Sequence, residues 1–174
     1  CGIAGLSLSR KAPSLSKTLD KMAAALQHRG PDDQGKHVVQ DKVGLAHTRL
    51  AINDIEGGHQ PFTTPTGIVA IANGEIYNHL DLRKELNPAL ELKTHSDCEP
   101  IPYLYKQYGP DFVKHLRGMY AIALYDPHLD QLFLARDPFG IKPLYYAQTP
   151  QGLAFASEPQ ALIKGGLVKA TLNT

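Results

Sequence analysis

The last third of the chain sets the class of fold. MYAIALYD (119–126), QLFLARD (131–137), PLYYAQ (143–148) and GLAFAS (152–157) are apolar runs of strand length. The PHLD stretch (127–130) and PQG (150–152) between them carry the turn residues that close hairpins. Hairpins mean antiparallel pairing, and strands this apolar need cover. Part of that cover is legible upstream. Leu15, Leu19, Met22, Ala23 and Leu26 recur at helical spacing, which predicts an amphipathic helix over 14–27. HRGPDDQG (28–35) ends it with Gly and Pro. Further strands are expected at 2–8, at 42–47 (KVGLAH), at 49–54 (RLAIND) and at 67–75 (GIVAIANGE), the last ending in a turn-prone Asn-Gly. A short helix is expected at 79–86 with Leu80 and Leu86 inward, and a closing one within 157–166.

HSDCEPIPYLYKQYG (95–109) predicts a helix with a late start. Ser96 and Glu99 have capping-box spacing, but Pro100 and Pro102 would then fall at or past the end of the first turn. A cap at Cys98 or Glu99 keeps both prolines where the backbone N–H has no partner to lose. Gly109 ends this helix and a short one follows in 110–116. Helices early, strands throughout and hairpins late give an α+β class with mostly antiparallel sheet, in a single domain over 1–174. Two stacked sheets covered by helices would bury all the apolar strands.

The chain opens CGIAGL, with no methionine ahead of Cys1, so removal of a methionine or a propeptide is expected. Cys1 would then carry a thiol and a free α-amine, with free-solution pKa values of roughly 8.5 and roughly 7.7–8.0. A useful fraction of that amine is unprotonated at neutral pH and can accept the thiol proton, so nucleophile and base share one residue. Taken alone, Cys1 favours an ordinary origin, a trimmed methionine or an arbitrary chain start, over a catalytic one.

Other residues have chemical and ordinary uses side by side. Asn73-Gly74-Glu75 offers an amide side chain and a backbone N–H that could converge on one oxygen, or a plain turn. Arg49 carries a fork suited to a carboxylate, or a solvated charge. Asp97 sits at a helix start, where it can cap the helix or hold an ammonium group. His28, His47, His59 and His95 lack metal-ligand spacing, and no metal is expected. Cys98 is read as a small buried hydrophobe rather than a disulfide partner. Lys and Arg number 18 against 17 Asp and Glu, with no basic run, which speaks against nucleic acid. The longest apolar run, Met119 to Tyr125, is too short to span a bilayer, and no signal peptide is recognisable. A cytoplasmic location is expected.

Together these stretches resemble a family. CGIAG (1–5), HRGPDDQG (28–35), HTRLAI (47–52), NGEIYN (73–78), SDCE (96–99), LRGMYAIALYD (116–126), ARDPFGIKPLYY (135–146) and ASE (156–158) are similar, in order and over nearly the whole chain, to the glutaminase domain of class II glutamine amidotransferases, most closely the asparagine synthetase branch. The resemblance implies an N-terminal nucleophile hydrolase fold, a four-layer αββα sandwich of two mostly antiparallel sheets. It implies hydrolysis of the L-glutamine side-chain amide to glutamate and ammonia through a Cys1 thioester. Cys1 would be the nucleophile, with the Asn73 side chain and Gly74 N–H as oxyanion hole. Arg49 would bind the substrate carboxylate, Asp97 and Glu75 its ammonium, and backbone near Leu50 and Ile52 would complete the pocket. No cofactor is implied for this reaction. ATP and Mg are expected only in a partner synthetase domain or subunit that accepts the ammonia.

Members of that branch usually continue into such a synthetase domain. No pyrophosphate-binding loop of the SGGxDS type occurs before Thr174, so the synthetase domain is expected to lie outside this chain. Two other readings remain at this level: an N-terminal-cysteine acylase, which would need an apolar acyl pocket, and a non-catalytic glutamine-binding module. The EPIPYLY stretch (99–105) departs from the smoother helix expected beside Asp97.

Overall fold

The computed structural model describes residues 1–90 and 92–171. Two antiparallel sheets lie face to face. The first has the strand order β2-β3-β1-β9-β8, from β1 (Gly2–Leu8), β2 (Asp33–Val39), β3 (Val43–Arg49), β8 (Tyr145–Thr149) and β9 (Gly152–Ala156). The second has the order β4-β5-β6-β7, from β4 (Phe62–Thr63), β5 (Val69–Ile76), β6 (Gly118–Asp126) and β7 (Gln131–Arg136).

Period-2 alternation along each strand builds the layers. Ile3, Val43, Leu45 and Phe155 of the first sheet meet Val69, Ile71, Ala121 and Ala123 of the second in a central core. The alternate residues Ala4, Leu6 and Leu8 face α1 (Leu15–Ala25) and α4 (Pro159–Lys164) in an outer core with Leu15, Leu19, Met22 and Leu162. On the far side, Ala70, Ala72, Ile76, Ile122 and Leu124 pack against Leu82 of α2 (His79–Glu85), Ile101 and Leu104 of α3 (Pro100–Tyr108), and Phe112. Three cores separate four layers, αββα, as the resemblance implies.

The helix starts follow local chemistry. Helix α3 begins at Pro100 with Glu99 as its cap, so Pro100 opens the first turn, where no intrahelical acceptor is forfeited. The segment that follows, Gly109–His115, is a 3-10 turn.

Three local expectations are corrected. Arg49 closes β3, and residues 50–54 leave the sheet as a loop in which Leu50 and Ile52 are 42% and 65% exposed. Asn73 and Gly74 lie inside β5, paired with Ala121 and Tyr120 of β6, not in a turn. Leu82 of α2 and Leu86, which caps it, face the core, while Leu80 of α2 is exposed. Strands β2 and β4 were not anticipated. The polar alternation of Asp33–Val39 suits an edge strand, paired only with β3, and β4 is only two residues long.

Candidate active site

Strand pairing brings Cys1 to the site. Gly2 lies opposite Thr48, so the residue ahead of β1 sits beside the end of β3, at Arg49 and Leu50. The Leu50 N–H points at Cys1 Sγ, 3.4 Å away. The Cys1 α-amine donates to the Arg29 carbonyl at 2.8 Å, and Arg29 Nε donates back to the Cys1 carbonyl at 3.0 Å. Arg29 is itself fixed by Glu158, whose Oε1 takes Arg29 Nη1 at 2.9 Å and pairs with His28 at 3.0 Å.

This setting changes the amine. Burial, reinforced by the positive charges of Arg29 and Lys142 and opposed by Asp32, lowers its pKa from 8.0 to about 6. At neutral pH the amine is mostly unprotonated, one bonded atom away from the carbon bearing the thiol arm.

The second wall of the site is the edge of β5 beyond the short β4. Successive N–H groups of a strand point to opposite edges. Tyr77 donates toward β6, to the Arg117 carbonyl. On the opposite edge, Ala72 donates to Gln60 Oε1 at 2.7 Å and Ile76 donates to Asp97 Oδ2 at 2.7 Å. Gly74 falls between them on that edge, and among the described residues no side chain accepts from its N–H. Beside it, the Asn73 amide nitrogen is buried and has no hydrogen-bond partner among the described residues. A buried donor left unpaired costs about 1–3 kcal/mol, so such a group calls for a functional reason. Gly74 is the residue this edge requires: an added Cβ would lie 2.1 Å from the Met119 carbonyl oxygen of β6, at a φ of +155°.

One pocket joins these parts, lined by Cys1, Arg49, Leu50, Ile52, Gly74, Glu75 and Asp97, among others. Seven of the eight residues singled out in the sequence therefore share one cavity wall. The eighth, Asn73, lies between two of its lining residues, Ala72 and Gly74, and is 2% exposed. Arg49 is 5% exposed. Its Nη2 holds the carbonyls of Asn53 and Asp54, and its Nη1 reaches those of Ile55 and Gly57 at 3.5 Å. The same guanidinium thus tethers the loop after β3 and places a positive charge in the pocket wall. Asp97 is buried, and with one oxygen bound to Ile76 it sets a negative charge on the same wall as Glu75.

The arrangement combines a nucleophile with an adjacent neutral base, a region of unmatched N–H donors, and charges of both signs. That is the equipment for acyl transfer from an amide bearing an amino-acid head group. Arg29, Gln60 and Glu158 had been given no role from the sequence. Arg29 bonds partners 28 and 129 residues away, and no local spacing announces such contacts. Cys98 is buried and both cysteines are free, as the sequence reading had it.

Known proteins place this geometry. A family model for the glutamine amidotransferase domain matches residues 1–174. The chain is 44% identical over 166 residues to asparagine synthetase [glutamine-hydrolyzing] 2 of Bacillus subtilis (strain 168), covering 93% of this chain and 22% of that protein. It is 41% identical over 167 residues to asparagine synthetase B [glutamine-hydrolyzing] of Escherichia coli (strain K12), covering 94% and 30%. It is also 38% identical over 163 residues to amidase chry2 of Gibberella zeae, covering 92% and 24%. The chain thus spans 22% to 30% of the length of these curated relatives. Among solved structures, glutamine phosphoribosylpyrophosphate amidotransferase from B. subtilis superposes with a TM-score of 0.78 at 22% identity, over 95% of this chain and 44% of that one. That likeness establishes a shared fold, the N-terminal nucleophile hydrolase sandwich. With its four layers, its Cys1-centred pocket and a family match along its full length, the chain belongs to the glutamine amidotransferase domain family.

Proposed function

We propose that this domain hydrolyses the side-chain amide of L-glutamine to glutamate and ammonia, and that the ammonia is passed to a synthetase domain or subunit. The observation that carries the reading is the α-amine of Cys1, brought to a pKa of about 6 beside its own thiol. The thiol proton moves to the neutral amine as Sγ attacks the amide carbon. The tetrahedral oxyanion is held by Asn73 Nδ2, which is buried with no partner among the described residues, and by the Gly74 N–H. The protonated amine then gives its proton to the leaving nitrogen, ammonia departs, and a Cys1 thioester remains. A water molecule, deprotonated by the same amine, attacks the thioester, and glutamate leaves as the thiol is restored.

Recognition of the other end falls to charge. Arg49 faces the substrate carboxylate, Asp97 and Glu75 its ammonium, and the backbone near Leu50 and Ile52 completes the pocket. Glutamine and asparagine differ by one methylene, which by contact alone gives only about 1–3 kcal/mol of discrimination. Fixed charges at one end and an oxyanion hole at the other measure the distance between head group and amide. The glutaminase step itself needs no cofactor. ATP and Mg belong to the synthetase step, which we assign to a partner in the cytoplasm. The likeness to the asparagine synthetases favours an amide-forming acceptor reaction.

A diazo-ketone analogue of glutamine tests the nucleophile. It should alkylate Cys1 stoichiometrically and leave Cys98 unmodified, read by peptide mass. Labelling elsewhere, or none on a chain whose N-terminal Cys1 is confirmed by intact mass, contradicts the reading.

A further inference from the structure

We infer that Gln60 is a positioning residue for the oxyanion hole. The inference rests on the glutaminase reading and deepens it. Gln60 is 9% exposed, lines the same pocket as Cys1 and Gly74, and belongs to none of the clamps described above. Strand β4 pairs with β5 only at Val69 and Ala70, so the edge of β5 runs on unpaired toward Asn73 and Gly74. Gln60 Oε1 takes the first N–H of that open stretch, that of Ala72, at 2.7 Å. Asp97 Oδ2 takes the N–H of Ile76 at the other end. The two side-chain acceptors bracket Gly74. They fix the peptide units on either side of it and supply no acceptor for Gly74 itself.

Gln60 is held from behind as well. Its carbonyl packs against Gly35 of β2, where an added Cβ would lie 1.7 Å from that oxygen. The first sheet therefore braces, through Gln60, the strand of the second sheet that carries the oxyanion donors. A donor that acts only on charge developing in the transition state contributes to kcat rather than to substrate affinity. Loss of the brace should accordingly appear in kcat, while the charged clamps on the head group keep KM.

The experiment compares the wild-type chain with Gln60→Met, which keeps the side-chain length and removes the acceptor. Measured are kcat and KM for L-glutamine hydrolysis and the hydrogen exchange of the Ala72 amide. Expected is a kcat lowered about tenfold, short of the roughly 100-fold that a 1 Å misplacement can cost. KM should stay within about threefold, and exchange at Ala72 should be faster. Gln60→Glu keeps an acceptor at the same reach, so Ala72 exchange should stay slow and kcat should stay nearer the wild-type value than in Gln60→Met. Gln60→Leu, which also lacks the acceptor, carries the test if Gln60→Met does not fold. An unchanged kcat in a folded variant lacking the acceptor, or a loss shared equally by KM, overturns the role of Gln60 while leaving the glutaminase reading intact. A wild-type chain that does not hydrolyse glutamine overturns that reading instead.

Discussion

At the scale of the residue, the proposed chemistry depends on one proton. In that mechanism the Cys1 amine must be neutral to accept the thiol proton, and burial with two neighbouring cations brings its pKa to about 6. Below that value it is protonated and cannot serve. The kcat/KM for glutamine should therefore rise with pH through about 6 and level off by pH 7, since this ratio reports groups of the free enzyme. An unperturbed amine would place the rise near pH 8. Asn73 makes the second residue-scale prediction. Its amide nitrogen is buried with no partner among the described residues, so Asn73→Ala should leave the fold in place and lower kcat about 10²–10³-fold, measured by steady-state glutamate release. Of these residues, Cys1, Arg49, Asn73, Gly74, Glu75 and Asp97 could be picked out of the sequence, because each belongs to a short motif of the family. The perturbed amine could not be read there. Its environment comes from Arg29 and Lys142, 28 and 141 positions away, and only the folded chain brings them near.

At the scale of the element, the strands with continuous apolar runs were legible and those with mixed faces were not. β6 is paired on both edges and largely buried, β7 pairs with it as a half-buried edge strand, and the apolar run of each sequence marks it as a strand. β2 is an edge strand whose Gln34, Lys36 and neighbouring polar residues satisfy no helix or core pattern. RLAIND carries strand-forming residues, yet Arg49 captures four carbonyls of the residues after it and holds them as a loop. Asn73-Gly74 has the composition of a turn but lies in β5, because Gly74 lets β5 and β6 approach where a side chain would collide with Met119. Gly74→Ala should destabilise the domain by about 2–3 kcal/mol in urea unfolding, through overpacking of two paired strands. The loop after β7 is ordered by Asp137. Its carboxylate accepts the N–H groups of Tyr120, Phe139, Ile141 and Lys142. Burial pushes this carboxyl up, but the four N–H groups outweigh burial and hold it below 3.8. The stability it contributes is complete above the unfolded value and is lost as pH falls through the lower folded one. Asp137→Asn should therefore lower the thermal midpoint at pH 7 and show a shallower further loss below about pH 4.

At the scale of the whole molecule, the sandwich serves the site by facing two sheets across one core. The first sheet delivers Cys1 from the end of β1 and Arg49 from the end of β3. The second delivers Asn73, Gly74 and Glu75 from β5. Neither sheet holds the whole proposed set, so the proposed site is assembled only when the central core of Ile3, Leu45, Ile71 and Phe155 is packed. The α+β class followed from strand and helix periodicity alone. The order of four layers did not, because alternation says which residues are buried and not which layer buries them. The most direct measurement is glutamate release from L-glutamine by the purified chain with Cys1 confirmed at its N-terminus, alongside Cys1→Ala, with asparagine and an N-acyl amide as control substrates. We predict turnover of glutamine alone by the wild type and none by Cys1→Ala with its fold retained. Glutamate release by Cys1→Ala, or turnover of the N-acyl amide in preference to glutamine, would contradict the account.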